Sequence, residues 1–316
     1  MNGLPLIVEF RKDLYLVRCY SISSSTIFFY FDISSEIANY ADDNHLYYEN
    51  KCMDTVKCVL ENDTNSAVLW FEENYMDANA DKFQSIVLSR DVQPSLSISV
   101  QGNEITSENS IKVLGVTLDD RLKFDGHVVD ICKRASRQIN ALKRISRYLN
   151  EDSRILVYNT FVSSTFSYCP VSWIFCGKKN SRKLDKLQER ALRFVYRDSC
   201  SSYDDLLKRG GFLSLSRHRV RHLAIEVFRC VKGLNPQYLN DLFSERSVEY
   251  QLRDSCRLVQ PKFNTVTYCY RSFRYFGAKL WNSLPRNVKD TDSLSIFKYN
   301  ITRWLLSEEC RDVDIS

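Results

Sequence analysis

The sequence predicts an α+β fold in which a small antiparallel sheet with one helix precedes a mostly α-helical region. Before residue 125, short segments rich in β-branched and aromatic residues are separated by turn residues. After residue 126, apolar residues recur at three- and four-residue spacing over long stretches. The net charge changes at the same place, from −10 for residues 1–125 to +13 for 126–235 and +2 for 236–316.

The overall composition is that of a globular protein. Hydrophobic residues make up 44% of the 316 residues and charged residues 26%. No apolar run of about 18 residues occurs, so no membrane span is predicted and the expected location is cytosolic or nuclear. The eleven cysteines are odd in number and form no Cys-x2-Cys pair, which favours free thiols over a zinc site.

The first region is predicted to contain one helix and several short strands. Apolar residues at helical spacing indicate a helix over residues 53–71. Residues 83–88 and 111–118 read as strands, and Gly115 inside the second indicates a bulge or a close backbone approach. Five later segments show one apolar face each and are predicted helices: 126–146, 152–166, 180–196, 216–232 and 293–306.

Some end signals accompany these helices. Asp152 and Ser153 are candidate N-terminal caps for the second of the five, and Gly233 is the expected stop of the fourth. The +13 block that contains four of the five predicts a partner that is a polyanion. The alternative is a set of solvated helix faces.

Two adjacent acids, Asp42 and Asp43, lie between segments of β-forming residues. This pattern predicts a tight hairpin with carboxylates at its tip, where they could hold a divalent metal ion. The alternative is an ordinary exposed turn, because Asp-Asp is common in turns.

The surrounding residues carry a family resemblance. Tyr40-Ala41-Asp42-Asp43 resembles motif C of reverse transcriptases, the segment at 70–83 resembles the helix, loop and strand that follow it in the palm, and the segment at 112–119 resembles the strand hairpin that supports the primer end. Further phrases appear in order at 132–135, 187–193 and 280–285. From residue 37 to about 305, the chain resembles the reverse transcriptases of LINE-type (non-long-terminal-repeat) retrotransposons, most closely the jockey-like group.

The resemblance implies a truncated polymerase palm over 33–125, a basic helical thumb-like domain over 126–235 and a mixed or helical C-terminal region over 236–316. It implies RNA-directed DNA synthesis with Mg²⁺, on an RNA or DNA template–primer, without an organic cofactor or a membrane. A deoxynucleoside triphosphate would bind only to a complete enzyme. Asp42 would be the principal metal ligand with Asp43 as its partner, and Lys82 would face the triphosphate.

A thumb-like role implies contacts between its basic residues and the nucleic-acid backbone. Tyr148, Trp173, Phe175, Tyr196 and Trp281 could stack on bases or be core residues, and His218 and His222 are expected on the basic face. The candidate phosphate contacts are Lys133, Arg134, Arg137, Lys143, Arg144, Arg182, Lys183, Lys186, Arg190 and Arg193.

Two expected parts of the palm are missing from this sequence. The family carries an upstream acid and a P-Q-G-S-x-x-G-P loop, and neither appears before Tyr40. One permitted codon string for residues 9–28, read in another frame, gives I-P-Q-G-S-V-F-G-P-L-L-F-N-I-F-I-N-D-I, which resembles that loop. We therefore expect residues 1–32 to be a frame-shifted translation without a function of their own, and the chain to be inactive as a polymerase.

Three interpretations remain open at this point. The chain is an inactive polymerase remnant, a non-catalytic nucleic-acid-binding helical module, or part of a complete enzyme whose upstream half lies outside this sequence.

Overall fold

A computed structural model describes residues 13–20 (as backbone), 33–40, 43–75, 78–79, 82–89, 95–245, 257–262 and 272–307. The chain divides into two compact units, Phe10–His127 and the residues from Val128 onward. This division lies close to the predicted boundary at 125/126. Each unit is described by itself below.

The first unit is built on a six-stranded sheet with the order β2-β3-β1-β4-β6-β5. All neighbouring strands are antiparallel except β4 and β6, which are parallel. The strands are β1 (Asp13–Tyr20), β2 (Glu36–Tyr40), β3 (Asp43–Glu49), β4 (Gln84–Ser89), β5 (Ser97–Val100) and β6 (Asn103–Glu108).

Strand β1 occupies the middle of this sheet, between β3 and β4. The sheet therefore includes residues upstream of the predicted palm boundary at 33, which is a change from the sequence-based domain limits. The rest of segment 1–32 lies outside the described residues. The frame-shift hypothesis concerns the nucleotide sequence and stays a prediction.

Both faces of the sheet are covered. Helix α1 (Met53–Glu73), predicted from its periodicity, buries Val56, Leu60 and Val68 in one cluster with Val87 of β4. The next residues along β4 face the opposite way, since side chains alternate along a strand. There Ile86 and Leu88 pack in a second cluster with Ile111.

The segment 111–118 forms a hairpin, which confirms the strand hairpin that the family resemblance implies for 112–119, whereas the single strand with a bulge read from the residues alone is wrong. Strand β7 (Ser110–Val113) pairs antiparallel with β8 (Val116–Asp119), and Val113 lies opposite Val116. The two residues between them both have positive φ, +46° at Leu114 and +82° at Gly115. That combination is typical of a tight two-residue hairpin turn, and it explains the glycine.

The second unit is helical in its described part. It contains α2 (Asp125–Ile145, whose first turn belongs to the first unit), α3 (Glu151–Val157), α4 (Ser164–Phe166), α5 (Lys178–Tyr196), α6 (Tyr203–Gly210), α7 (Leu215–Val231), α8 (Gln237–Asn240), α9 (Phe273–Ser283), α10 (Arg286–Lys289) and α11 (Leu294–Leu306). The predicted helices are confirmed within about two residues at their ends, and α6, α8, α9 and α10 are additions to the prediction.

The predicted helix over 152–166 is interrupted by a wider turn. A π-helical segment, Tyr158–Ser163, joins α3 to α4 and buries Tyr158 and Val162. The N-terminal cap is Asn150, whose Oδ1 accepts a hydrogen bond from the Ser153 N–H at 2.8 Å. Asp152 and Ser153 were the wrong candidates by two or three positions, because the helix begins earlier than its first apolar residue.

One hydrophobic core joins α7, α9 and α11. The rings of Phe228 and Phe297 stack at 4.3 Å, and Trp281 lies 6.0 Å from Phe297. These residues come from both sides of the predicted boundary at 235/236, so the boundary does not separate two cores. Gly233, with φ +65°, ends α7 as predicted.

Within the described parts of the chain, no helix is both long enough and apolar enough to cross a membrane.

His218 and His222 lie close together on α7, with ring centroids 4.6 Å apart. Burial lowers the pKa of each ring to about 4, helped by repulsion between its protonated form and nearby basic side chains. For His218 these are His222, Arg221 and Arg219, and for His222 they are Arg221 and Lys298. Both rings are therefore neutral at pH 7 and do not add to a positive face, contrary to the expectation from their basic surroundings.

We predict that the second unit loses stability as the pH falls from about 6.5 to about 4. In that window the unfolded chain takes up protons on both histidines and the folded chain does not. Thermal melts followed by circular dichroism should show a falling melting temperature, and His218→Gln with His222→Gln should flatten the fall. A wild-type melting temperature that stays level or rises between pH 7 and pH 5 would contradict the assignment.

Two helical glycines give a matched pair for testing the packing. A Cβ added at Gly277 on α9 would lie 2.8 Å from Val227 and 2.9 Å from Phe243, whereas one at Gly126 on α2 meets only Thr117 at 3.8 Å. We expect Gly277→Ala to lower the free energy of unfolding by about 1–3 kcal/mol through overpacking. Gly126→Ala should raise it by up to about 1 kcal/mol. Equal effects in denaturant titrations would show that the α9 packing is misassigned.

Candidate functional site

The predicted hairpin at the acid pair is confirmed. Strands β2 and β3 pair antiparallel with Tyr40 opposite Asp43, so only Ala41 and Asp42 separate them. Asp43 is the first residue of β3 and is partly exposed. Asp42 lies outside the described residues, so its predicted role as principal metal ligand stays a prediction.

The sheet register shows where Asp43 lies relative to the start of β4. Tyr20 of β1 lies opposite Asp43, and Arg18 lies opposite Gln84 of β4. Asp43 and Gln84, the first residue of β4, therefore lie at the same end of the sheet. Lys82 precedes β4 by two residues, is exposed, and donates its backbone N–H to the Asn79 carbonyl at 3.1 Å in a short turn. Its predicted role beside the triphosphate stays a prediction.

The strands that flank β3 bring no further acid to this edge. β1 contains one acid, Asp13, at its opposite end, and β2 contains one, Glu36, opposite Tyr47. At about 3.3 Å per residue, these positions are about 23 Å and 13 Å from the Asp43 level. The described residues contain no group of three His, Cys, Asp or Glu side chains that could hold a metal ion.

A second candidate site is the pair of basic helices α2 and α5. Three contacts join them at a nearly constant offset in sequence. Arg190 donates a hydrogen bond to Asn140 Oδ1 at 2.5 Å, and Lys143 Nζ lies 5.6 Å from the centre of the Phe194 ring. Arg197, the residue after α5, donates to the Ser146 carbonyl at 2.7 Å. Since the contacting residues of both helices move toward the C-terminus together, from 140 with 190 to 146 with 197, the two helices run parallel and side by side.

The ten predicted phosphate-binding residues all lie on these two helices. Nine of them are exposed, and Arg193 is half-buried because it pairs with Glu189 at 2.6 Å. The apolar faces are buried on the other side, with Ala135 and Ile139 on α2 and Leu184 and Ala191 on α5. The exposed residues are Lys133, Arg134, Arg137, Lys143, Arg144, Arg182, Lys183, Lys186 and Arg190.

Part of this set forms two stripes that border the junction of the helices. The residues of each stripe are three or four positions apart, so they lie on one face of their helix. Contacts between the helices occur within the stripes, at Asn140 and Arg190, and next to them, at Ser146 and Arg197. We call this surface the paired basic stripes. On α2 and just beyond it the stripe is Lys133, Arg137, Asn140, Arg144 and Arg147, and on α5 it is Lys179, Lys183, Lys186, Arg190 and Arg193.

The predicted set of phosphate contacts leaves out Asn140, Arg147, Lys179 and Arg197, although the sequence pattern already places Arg147 and Arg197 off the apolar faces of their helices. Asn140 is left out because the set was selected by charge rather than by helix face. The i, i+4, i+7, i+11, i+14 spacing from residue 133 includes both Asn140 and Arg147. The contact of Arg197 with α2 depends on the parallel packing, and no signal in the sequence predicts it.

Few carboxylates neutralise the stripes. Lys133 lies 3.7 Å from Asp130, and Glu189 pairs with Arg193. Arg137, Arg144 and Arg190 form no ion pair with the described residues. The result is a local excess of positive charge on one exposed surface, which is what a polyanion requires.

Most of the candidate stacking aromatics are core residues. Trp173, Tyr196 and Trp281 are buried, and Phe175 packs edge-on against Phe276 at 5.5 Å. Tyr148 is different, with 75% of its surface exposed and the Arg147 guanidinium 4.6 Å from its ring centre. It lies next to one end of the α2 stripe, where a base could stack.

Comparison with known proteins gives matches to enzymes of mobile elements. The chain is 26% identical over 170 residues to the probable RNA-directed DNA polymerase from transposon BS of Drosophila melanogaster. It is 22% identical over 162 residues to the RNA-directed DNA polymerase from mobile element jockey of the same organism. Each match covers 50% of this chain and 18% of the relative.

The chain is related to retrotransposon reverse transcriptases. A third relative, an uncharacterized protein of Caenorhabditis elegans, is 28% identical over 120 residues, which is 35% of this chain and 58% of that protein. No family model and no solved structure matches the chain. Because the chain matches less than a fifth of the length of each Drosophila polymerase, the activity of those whole proteins is not transferred to it.

Proposed function

We propose that this chain is a reverse-transcriptase fragment, derived from a LINE-type retrotransposon, that binds nucleic-acid backbone and does not extend primers. The observation that carries the proposal is the parallel pairing of α2 and α5. It gathers exposed, largely uncompensated basic side chains on one surface. The relationship to two mobile-element polymerases supports a nucleic acid as the polyanion.

The chemistry of the surface favours backbone contacts over base reading. Its side chains are almost all lysine and arginine, which bind phosphate oxygens irrespective of sequence. Tyr148 is the exposed candidate for base stacking among the five aromatics considered. The expected ligand is therefore a template–primer duplex or a similar structured nucleic acid, bound without sequence preference.

The proposal that the chain does not extend primers is supported by the positions of the acids on the sheet. Asp43 begins β3 at the hairpin end of the sheet, whereas Asp13 and Glu36 lie at the far ends of the neighbouring strands. Two metal ions need a carboxylate that bridges them. One or two adjacent acids are expected to bind Mg²⁺ weakly.

We predict salt-sensitive binding of the full chain to a labelled 20-base-pair RNA–DNA duplex. Four to seven phosphate contacts should give a slope of log K against log salt of about −4 to −6. Fluorescence anisotropy at 50–300 mM NaCl measures it. Glu189→Gln should tighten binding, because it removes a carboxylate from the stripes.

Two results would overturn the binding proposal. One is affinity that does not change with salt, and the other is no binding at 50 mM NaCl. Asp13→Asn serves as a control, because it removes the same charge as Glu189→Gln from a strand of the other unit and should leave the affinity unchanged.

We predict no metal-dependent primer extension by the purified chain. The reaction contains an RNA template, a DNA primer, all four nucleotides and either Mg²⁺ or Mn²⁺, with an active reverse transcriptase as positive control. Asp43→Asn should give the same background signal as the wild type. Incorporation that requires metal and is lost in Asp43→Asn would contradict the proposal and favour a functional catalytic site.

A further inference from the structure

We propose a discrete phosphate-binding subsite centred on Asn140, formed by Arg137 and Arg144 of α2 and Arg190 of α5. The proposal rests on the proposed function and assigns that surface a specific point of contact. Its ligand is a phosphodiester group of a nucleic-acid backbone.

The three arginines come together because of how the helices pair. Arg137 and Arg144 stand one turn before and one turn after Asn140 on the same face of α2. Arg190 reaches this face from α5, since its Nη2 donates to Asn140 Oδ1 at 2.5 Å. Arg190 therefore contacts Asn140 directly, and Arg137 and Arg144 flank Asn140 along α2, although the three arginines lie up to 53 positions apart in the sequence.

The charge of this cluster is not balanced within the described structure. Arg137 Nε donates to the Lys133 carbonyl at 3.5 Å, and the Arg144 side chain forms no hydrogen bond or ion pair with the described residues. The acid next to Arg190 in sequence is Glu189, and its Oε1 already accepts from Arg193 at 2.6 Å. Arginines that are not paired with carboxylates retain N–H donors, and their fork geometry fits phosphate oxygens.

Asn140 interrupts an otherwise basic stripe and has a geometric role. Its Oδ1 holds Arg190 in place, which reduces the side-chain entropy that this arginine loses on binding. Its Nδ2 has no partner among the described residues and can donate to a phosphate oxygen. A lysine or arginine at this position would repel the three guanidinium groups, whereas the neutral amide orients one of them.

The test compares variants of equal charge change on one helix. Arg134 lies on α2 away from the junction with α5, is exposed and has no partner among the described residues, so Arg134→Gln is the control for Arg144→Gln. Each variant of the full chain binds the labelled 20-base-pair RNA–DNA duplex at 100 mM NaCl. Arg137→Gln, Arg144→Gln and Arg190→Gln should each weaken binding about tenfold, and Arg134→Gln less than about twofold.

Two further variants separate a built subsite from general attraction. Arg190→Lys keeps the charge and Asn140→Ala changes no charge, yet both should weaken binding about three- to fivefold, because each removes the Arg190–Asn140 bond or its fork geometry. Circular dichroism melts check that each variant is folded, and affinities are compared only among folded variants.

The outcomes distinguish the two proposals. If the wild type binds but all four arginine variants lose affinity equally, the subsite is wrong and the general backbone-binding function stands. If Asn140→Ala and Arg190→Lys bind as the wild type does, the subsite is likewise refuted. If the wild type does not bind, the proposed function itself fails.

Discussion

The parallel pairing of α2 and α5 is the constraint on which the helical unit depends. It places positively charged side chains next to each other, and it brings the C-terminal ends of two helices, each with a partial negative charge, close together. Both repulsions oppose the pairing. Several side chains offset them. Arg197 donates to the Ser146 carbonyl near the end of α2, and Arg154, buried beside α5, donates from Nε to the Val195 carbonyl and from Nη1 to Leu149. Arg154 and Arg197 therefore donate hydrogen bonds to backbone carbonyls and hold the positive surface in place. Other arginines of the unit remain available to bind a ligand.

In the sheet unit, the strand register fixes where the acids lie. Asp43 directly follows the β2–β3 turn, and Asp63 of α1 accepts a hydrogen bond from the Ser35 N–H at 2.6 Å, which fixes the approach to β2. Asp13 of β1 and Glu36 of β2 lie at the other ends of their strands. The hairpin end of the sheet therefore receives no acid from either of these two neighbouring strands.

The sequence predicted what depends on local pattern. Apolar periodicity predicted α1, α5, α7 and α11, and the Tyr40–Asp43 segment predicted the hairpin. Both patterns depend only on residues that are close together in the sequence. It did not predict α6 or α9. It also missed the central position of β1 and the parallel partnership of α2 with α5. Strand order and helix direction are set by long-range packing, which leaves no periodic signal. The buried aromatics Trp173, Tyr196 and Trp281 were ambiguous for the same reason, since burial is a property of the whole unit.

Lysine footprinting of the full chain tests the central claim most directly. Acetylation rates, read by mass spectrometry with and without the RNA–DNA duplex, should fall together at Lys133 on α2 and at Lys183 and Lys186 on α5. Lys208 and Lys279, exposed on other helices, should react at unchanged rates. Protection confined to one of the two helices, or spread evenly over all exposed lysines, would show that α2 and α5 do not present a single surface to nucleic acid.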